Sequence, residues 1–280
     1  MLVPLIVLVV IVGIIMIIIY FTVIKPKQNL SNVGKWDPNR PIHSFNYCGN
    51  SKTIALTFDD GPDLVGTPNV LADLKALNVK ATFFMSPSVN SVPTQQQCDL
   101  VKMILQQGHS VQSHSWDHTD FLQKTGQDVY NNLKTVYDWI SHCSGQSPFN
   151  ELSMFRPPFG SMNPEYAAFV SKLGYTLASW NVDSLDYSSN SPQQVYQNIL
   201  SGFQTLGGTG SVITLMHDSH YIPGVAQGVL QQVVPYFKSQ GYQFVTMPEC
   251  YANCHQNVCL DPVTVWPGTW DTSGTFAASL

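Results

Sequence analysis

The sequence predicts an α/β fold, a distorted (β/α) barrel of about seven parallel strands preceded by an N-terminal transmembrane helix. One observation behind this is a recurring join, in which an amphipathic helix ends on a Gly or Asn turn and a short apolar strand follows at once. Strands that alternate with helices form parallel sheets. The other observation is a charge-free apolar run at residues 1–24. Periodicity alone also allows a doubly wound open sheet.

The predicted elements follow one another along residues 53–245. Strands are predicted at 53–58, around 154–155, at 177–182 and at 211–216, and short strands end the joins at 77–84, 107–111, 173–177 and 240–245. Helices are predicted near 68–77, 96–107, 128–143, 164–173, 192–206 and 225–239. We interpret residues 25–47 as a stalk, 48–250 as one catalytic domain and 251–280 as an irregular Cys-containing tail. A chain of 280 residues supports one large core rather than two.

Residues 1–24 are dominated by Ile, Val and Leu and contain no charged residue. At about 1.5 Å per residue this run is long enough to cross a hydrocarbon core of roughly 30 Å, so it is predicted to anchor the chain in a membrane. A secretory signal peptide is the alternative interpretation, but it favours a basic start and a shorter apolar stretch.

The residues that follow the apolar run bear on the orientation of this anchor in the membrane. Lys25 and Lys27 follow the apolar run, and the positive-inside rule therefore favours a cytosolic domain. Six cysteines and the glycosylation sequon Asn29-Leu30-Ser31 favour a compartment outside the cytosol. We expect the domain to be extracellular or luminal.

The charge pattern narrows the class of partner. The net charge is -5 and only 11% of the residues are charged, which leaves no basic surface for nucleic acid. A neutral, polar substrate fits this composition better.

Titratable residues gather where the predicted strands end. They are Asp59, Asp60, His114, His118, Arg156, Asp183 and His217. The carboxyl ends of barrel strands converge on one face, so these side chains are expected to share one cleft. Each also has an ordinary interpretation, because Asp-Gly-Pro sequences form turns, histidine pairs four residues apart occur by chance, and single Asp residues cap helices. Their joint occurrence in this order favours a catalytic site.

The sequence resembles the polysaccharide deacetylases of carbohydrate esterase family four. The residues that carry the resemblance are TFDDGP at 57–62, HSWDH at 114–118, RPPF at 156–159, DSLDY at 183–187 and LMH at 215–217. The resemblance extends over residues 48–250, and WNVD at 180–183 with PEC at 248–250 is most similar to fungal chitin deacetylases. One departure is Tyr187, where the family usually has Trp, which affects the expected wall of the substrate groove.

The resemblance implies a divalent metal ion bound by Asp60, His114 and His118. Zinc is the ion that the family implies, and cobalt is an alternative. Two imidazoles and one carboxylate leave open positions for water and substrate. Such an ion assists amide hydrolysis because it polarises a poorly electrophilic carbonyl and binds the attacking water.

The resemblance also assigns the proton-transfer groups. Asp59 is implied as the general base, and Arg156 as the cation that pairs with it and favours its ionised form. His217 is implied as the general acid that protonates the departing amine, with Asp183 orienting its ring.

Four further residues are expected to contact the substrate. The backbone N–H of Phe159 is expected to stabilise the oxyanion, and Leu215 to line the pocket for the acetyl methyl group. The rings of Trp116, Phe159 and Tyr187 are expected to stack on sugar faces, although any of them also suits a core.

The six cysteines are expected to be paired, and the resemblance implies a bond between Cys48 and Cys250 that joins the two ends of the domain. The pairing of Cys98, Cys143, Cys254 and Cys259 stays open. A zinc knuckle within residues 250–259 is an alternative, but the spacing lacks a tight C-x-x-C pair.

The function that the resemblance implies is the hydrolysis of N-acetyl groups from N-acetylglucosamine residues of a polysaccharide, chitin in the first place, with release of acetate. A deacetylase of peptidoglycan or acetylxylan is one alternative. A non-catalytic glycan-binding relative is another, which would show a missing base or ligand, and none is missing from the motifs.

Overall fold

The computed structural model describes residues 37–40, 42–49, 52–89, 91–146, 149–189, 191–219 and 226–257. The predicted anchor at 1–24 and most of the stalk lie outside the described residues, so the anchor stays a prediction. Within the described part of the chain, no helix has both the length and the apolar character needed to cross a bilayer.

Parallel strands and helices alternate along the described chain. The strands are β1 (Ser44–Phe45), β2 (Thr53–Gly61), β3 (Thr82–Met85), β4 (Ser110–Ser113), β5 (Met154–Phe155), β6 (Thr176–Ala178), β7 (Val182–Asp183), β8 (Val212–His217) and β9 (Gln243–Phe244). The α-helices are α1 (Gly66–Ala76), α2 (Gln95–Gln106), α3 (Gly126–Ser144), α4 (Pro164–Lys172), α5 (Pro192–Thr205), α6 (Ala226–Ser239) and α7 (Met247–Asn257). The predicted α/β class with parallel strands is confirmed.

The strands form one curled sheet. Its order is β1-β6-β5-β4-β3-β2-β8-β7, and β9 pairs with the start of β2. β6 and β7 lie near opposite ends of this order, yet Ala178 and Val182 are four residues apart and therefore at most about 14 Å from each other. The backbone between them donates to both sides, from Ser179 to β1 and from Asn181 to β8. The sheet is therefore an incomplete barrel rather than a flat, doubly wound sheet.

Helix starts explain why the predicted helix positions hold to within about two residues. Thr94 and Thr125 each close a capping box at the starts of α2 and α3. Asn163 and Ser191 cap α4 and α5, and in both helices a Pro follows directly at the first helical position. These local signals agree with the apolar stripe that each helix buries against the sheet.

Two hydrophobic clusters lie on the two faces of the curled sheet. In β2, Ile54, Leu56 and Phe58 join the larger cluster, which also contains buried side chains of the surrounding helices. The smaller cluster lies inside the curl and draws one residue from each of six strands, namely Phe45, Ala55, Phe84, Met154, Ala178 and Ile213. Helix α7 closes the amino-terminal end of this interior, where Met247 donates its backbone N–H to Thr82 at the start of β3.

Two elements differ from the sequence prediction. Strand β1 lies inside the segment interpreted as a stalk, because two residues are too short for any period to show. Helix α7 continues to Asn257, past the point where irregular structure is predicted. The missed signal is a capping sequence, since Thr246 just ahead of the helix donates its backbone N–H and its hydroxyl to the Glu249 carboxylate in the first turn.

The disulfides fix the domain at two places. Cys48–Cys250 joins the approach to β2 with α7, which confirms the implied pair, and Cys98–Cys143 joins α2 with α3. Cys254 is also disulfide-bonded. The zinc-knuckle alternative is wrong, because Cys250 is held in a disulfide and is not available as a thiolate ligand.

Candidate active site

The site lies where β2, β4, β5 and β8 end. Asp59 in β2 pairs with His217 in β8 and with Phe84 in β3, which brings residues more than 150 positions apart side by side. Ser113 at the end of β4 pairs with Phe155 at the end of β5, so His114 and Arg156 leave the sheet together. The register of these strands therefore brings the predicted residues together at one face of the sheet.

Asp59 and Asp60 face the same cleft although they are neighbours in a strand. Successive side chains in a strand normally point to opposite faces. Here the register between β2 and β3 shifts, with Asp59 opposite Phe84 and Gly61 opposite Met85, so Asp60 is the extra residue of a β-bulge. Its φ of 71° is left-handed. The bulge turns the Asp60 carboxylate toward the histidines while Asp59 keeps the direction set by the strand.

Asp60, His114 and His118 form a compact set of ligand atoms. The distance from Asp60 Oδ1 to the Nε2 atom of each histidine is 3.5 Å, and one atom from each residue lies within 4.8 Å of the other two. Asp60 Oδ1 is buried and has no hydrogen-bond partner among the residues that the structure describes. A buried carboxylate oxygen of this kind is costly unless a cation or a donor meets it. These three residues therefore fit a divalent metal ion.

The orientation of His114 suits a metal ligand. Its Nδ1 lies 2.7 Å from the Arg156 carbonyl oxygen, which can only accept, so Nδ1 carries the proton and Nε2 presents a lone pair toward Asp60. Burial lowers the pKa of His114 to about 3, and the nearby Asp60 opposes that change only in part. The ring is therefore neutral at physiological pH, which is the form that binds metal ions.

The two histidines lie on a loop, not on a turn of helix. Ser115 and His118 both have left-handed backbones, with φ of 79° and 57°. Ser86 after β3 donates its hydroxyl to the His114 carbonyl at 2.8 Å, and Asn132 of α3 accepts from the Trp116 backbone N–H at 2.6 Å. These contacts hold the loop in a conformation that brings the two rings to 5.0 Å.

Left-handed backbone is concentrated at this site. Six non-glycine residues of the described chain have a positive φ, and five of them are Asp60, Ser115, His118, Phe159 and Leu185. Asp60 lies in the bulge at the end of β2, and the other four lie on segments that follow strand ends. Because such conformations cost free energy and persist only where surrounding contacts hold them, they mark segments shaped for a function.

Arg156 is the centre of a buried polar network. It is 0% exposed, and its guanidinium donates to Asp59 Oδ1 at 2.7 Å, to Thr57 Oγ1 at 2.7 Å and to the Ser179 carbonyl at 3.0 Å. The predicted pairing with Asp59 is confirmed. Burial raises the pKa of Asp59, and the charge of Arg156 works against that rise. The outcome is a carboxylate of increased basicity, held by one oxygen, whose other oxygen lies 3.6 Å from His114 Nε2.

The carboxylate that orients His217 is Asp186, so the predicted assignment to Asp183 is wrong. Asp186 Oδ1 lies 2.8 Å from His217 Nδ1, and Asp186 Oδ2 accepts the His217 backbone N–H at 2.7 Å. Left-handed Leu185 (φ 53°) turns the chain between the two aspartates and directs Asp186 at β8. Asp183 instead accepts from the backbone N–H of Leu185 and from the Tyr187 hydroxyl.

The charge state of His217 follows from its neighbours. Burial alone would lower its pKa, but the hydrogen bond and charge of Asp186, together with Asp59 and Asp60, outweigh it and raise the pKa to about 9. The ring is thus protonated at neutral pH and can serve as an acid.

Two exposed aromatic rings flank the site. Phe159 is 68% exposed, and its ring meets that of His118 edge to face at 4.4 Å. Tyr187 is 51% exposed, and its ring meets that of His217 at 5.6 Å. Trp116 instead packs against Trp139 at the edge of the core, and Leu215 is buried in β8. Phe159 and Tyr187 are therefore placed to contact a substrate, whereas Trp116 has a structural role.

Two residues near the site are missing from the sequence prediction. Asp186 is part of the DSLDY motif, but spacing alone does not decide which of its two aspartates reaches His217. Asp218 follows His217 directly and is completely buried, and burial raises its pKa to about 7. Its only sequence signal is its position next to a candidate acid.

Comparison with known proteins agrees with this geometry. The polysaccharide deacetylase family matches residues 46–178. A peptidoglycan-N-acetylglucosamine deacetylase of Bacillus cereus is 31% identical over 229 residues, which cover 78% of this chain and 76% of the relative. The chain belongs to the polysaccharide deacetylase family. The family membership predicted from the motifs is thus confirmed.

Another member of this deacetylase family extends well beyond the matched region. The peptidoglycan-N-acetylglucosamine deacetylase of Listeria monocytogenes is 38% identical over 201 residues, which are 72% of this chain but only 39% of the relative. This chain therefore matches about two fifths of that relative's length.

Solved structures of other deacetylase-family members share the fold. The chitin deacetylase of the fungal pathogen Colletotrichum lindemuthianum superposes with a TM-score of 0.63 at 26% identity, over 74% of this chain and 90% of that chain. A family 4 acetyl xylan esterase of Clostridium thermocellum, in complex with a cobalt ion, gives 0.60 at 26% identity, over 71% and 90%. The chain is more identical to the two bacterial relatives than to the fungal enzyme. The similarity of WNVD and PEC to fungal chitin deacetylases therefore does not extend to the whole domain.

Proposed function

We propose that this chain is a metal-dependent N-deacetylase that hydrolyses the N-acetyl groups of N-acetylglucosamine residues in a polysaccharide and releases acetate. The observation that carries the proposal is the arrangement of Asp60, His114 and His118 beside a buried base and a protonated acid. Asp59 Oδ2 lies 3.6 Å from His114 Nε2, and His217 is the register partner of Asp59 in β8.

The metal that we propose is zinc, held by Asp60, His114 and His118. When bound, the ion would polarise the amide carbonyl and hold the attacking water. The cobalt ion in the related acetyl xylan esterase supports cobalt as an alternative. Asp60 Oδ1, which meets no hydrogen-bond donor among the described residues, and the neutral His114 ring support a cation at this place.

Asp59 acts as the general base in this proposal. Arg156 and the strand fix its position, and burial makes its carboxylate more basic than an exposed aspartate. The base takes one proton from water as the water oxygen forms its bond to the acetyl carbon.

His217 acts as the general acid. Asp186 binds Nδ1 and favours the imidazolium ion, so the ring holds a proton at neutral pH. As the bond between the carbonyl carbon and nitrogen breaks, His217 gives its Nε2 proton to the departing amine, which leaves the sugar with a free amino group. At this point the acyl product is acetic acid, which ionises to acetate, and Asp59 holds a proton that His217 has lost. Asp59 releases its proton to solvent and His217 takes one up from solvent, which restores both groups.

Chitin is the substrate that we propose first, and the fold shared with a fungal chitin deacetylase supports it. Peptidoglycan is the second candidate, supported by the higher identity to two bacterial peptidoglycan deacetylases. Both polymers carry N-acetylglucosamine, and both suit a cleft flanked by two exposed rings that can stack on sugar faces.

A substrate panel tests the proposal. Purified full-length protein is incubated with chitin oligomers, with peptidoglycan and with acetylated xylan, and both released acetate and new primary amines are measured. The proposal expects acetate and amine in equal amounts from at least one of the first two substrates. Release of acetate from acetylated xylan alone would contradict the N-deacetylase assignment and indicate an esterase. Asp59→Asn is the matched control, because it keeps the shape of the side chain and removes the base.

We also propose that the catalytic domain lies outside the cytosol. The two disulfides Cys48–Cys250 and Cys98–Cys143 support this location, because structural disulfides persist in oxidising compartments. The anchor at residues 1–24 remains a prediction from the sequence.

A further inference from the structure

Asp218 is a buried carboxylate that the proposed reaction does not use. It directly follows His217, is 0% exposed and donates its backbone N–H to the Asp59 carbonyl at 3.3 Å. Its Oδ2 accepts the Thr67 hydroxyl at 2.5 Å, and its Oδ1 has no hydrogen-bond partner among the described residues. A buried carboxylate is costly, so its place in the fold calls for a role.

Thr67 connects this carboxylate to the loop that follows β2. The Thr67 oxygen also accepts the Asp63 backbone N–H at 2.8 Å, and Asp63 Oδ1 in turn accepts from the backbone of Val65 and Gly66 at 2.9 and 2.6 Å. The turn at 63–65 and the start of α1 are therefore tied to the residue that follows β8 through a side-chain contact, Thr67 to Asp218.

Asp218 also packs directly against the bulge in β2. A Cβ atom at Gly61 would lie 2.3 Å from Asp218 Oδ2 and 2.5 Å from Oδ1, so the carboxylate fills the space beside the Gly61 backbone. Gly61 immediately follows Asp60, whose left-handed conformation aims the carboxylate at the two histidines. Asp218 therefore packs directly against the residue that follows Asp60 in the bulged end of β2.

We propose that Asp218 is a positioning residue that holds the bulged β2 end, and with it the Asp60 carboxylate, in the geometry needed to bind the metal ion. The inference rests on the metal site of the proposed function. Asp218 itself reaches neither metal nor substrate in this account. Its carboxylate fills the space beside the Gly61 backbone and accepts the hydrogen bond from Thr67.

The experiment measures the affinity of the full-length protein for Zn²⁺ by competition with a chelating dye, below the unfolding temperature of every variant. Asp218→Ala should bind Zn²⁺ roughly ten to a hundred times more weakly, the range typical for partners that orient metal ligands. Asp218→Asn keeps the volume and an acceptor for Thr67, so it should stay within about threefold of the wild type. Val212→Ala, at the far end of β8, is the matched control and should lower the melting temperature but not the affinity.

The outcomes separate the two proposals. If the wild type does not bind Zn²⁺, the proposed function fails, and this inference fails with it. If the wild type binds and Asp218→Ala binds equally well, only the inference is overturned. If Asp218→Ala does not fold, Thr67→Val decides, because it removes the donor and leaves the carboxylate. Weaker Zn²⁺ binding by Thr67→Val supports the positioning role, and unchanged binding overturns it.

Discussion

At the scale of single residues, the site depends on how two adjacent aspartates are given different partners. Asp59 follows the strand and meets Arg156, whereas the bulge turns Asp60 toward His114 and His118. The two carboxylates differ in their surroundings, since Asp59 is paired with a buried guanidinium and Asp60 faces two imidazoles. One dipeptide thus supplies both the proposed base and the proposed metal ligand.

The separate roles of base and acid predict different losses in two variants. General acid–base groups typically contribute about a hundredfold to ten-thousandfold each, so Asp59→Asn and His217→Ala should both be badly impaired on N-acetylglucosamine oligomers. On an activated aryl acetate ester, His217→Ala should be less impaired, because that leaving group needs no proton. Asp59→Asn should stay slow on both substrates, since water still has to be activated.

The measurement is initial rates on both substrates, with metal content checked in each variant. Equal losses of His217→Ala on ester and amide would contradict the acid role. Amide hydrolysis near the wild-type rate in Asp59→Asn would contradict the base role.

Asp186 predicts a shift in the pH profile. His217 must be protonated to act as the acid, and Asp186 helps to raise its pKa to about 9, so activity should persist until the pH rises past that pKa. Asp186→Asn removes the charge and lowers the pKa, so the alkaline limb of kcat should move to lower pH by on the order of one unit. Asp183→Asn, which does not touch Nδ1, is the control and should move the limb less. A larger shift for Asp183→Asn would restore the assignment made from sequence.

This pair of aspartates shows where sequence reasoning reaches its limit. The motif DSLDY places both carboxylates near the end of β7, and their spacing is compatible with either reaching His217. The choice depends on the left-handed backbone at Leu185, a non-glycine residue with no signal for that conformation. By contrast, the metal triad could be predicted, because the family resemblance assigns Asp60 rather than the adjacent Asp59 as the ligand, and HSWDH contains no histidines other than His114 and His118.

At the scale of elements, the predictable parts are those whose local signals agree with their burial. Helix α3 has an apolar period, the capping pair Thr125 and Asp128, and Gly145 at its end, and it was placed within two residues. The single predicted strand at 177–182 is instead two strands, β6 and β7, which pair with opposite edges of the sheet. Apolar content does not reveal a change of pairing partner, so this split was not visible in the sequence.

Removal of the bond Cys98–Cys143, which joins α2 and α3, is predicted to lower stability without lowering activity. The bond closes a loop with a sequence separation of 45 residues on the side of the barrel. Replacing both cysteines by Ser should lower the free energy of unfolding by about 2–4 kcal/mol, mainly because the unfolded chain gains freedom. Denaturant unfolding measures this loss. Activity at a temperature where both proteins are folded should be unchanged, and a large drop there would show that the bond shapes the site.

At the scale of the whole molecule, the curl of the sheet brings together strand ends that are far apart in sequence. The Cys48–Cys250 bond closes the two ends of the described domain on the side opposite the site, where α7 fills the interior. The bond and helix α7 hold the amino-terminal ends of the strands together, and the proposed site requires the carboxyl ends of the same strands to stay in register.

The proposed location outside the cytosol predicts oxidised cysteines in the native protein. Protein is taken from its native membrane or secreted fraction with thiols trapped at lysis, then denatured without reductant and alkylated. Most thiols should resist alkylation until reductant is added, because Cys48, Cys98, Cys143, Cys250 and Cys254 are disulfide-bonded. Free alkylation of all six cysteines would favour the cytosolic orientation that Lys25 and Lys27 indicate.

The central claim is that the triad of Asp60, His114 and His118 holds a metal ion on which deacetylation depends. The most direct measurement is acetate release from N-acetylglucosamine oligomers by one preparation, assayed as purified, after chelation and after stepwise return of Zn²⁺ or Co²⁺, with metal content followed by elemental analysis. The account predicts that activity disappears with the metal and returns in proportion to it, reaching its maximum near one ion per chain. Full activity in a preparation shown to contain no metal would contradict it.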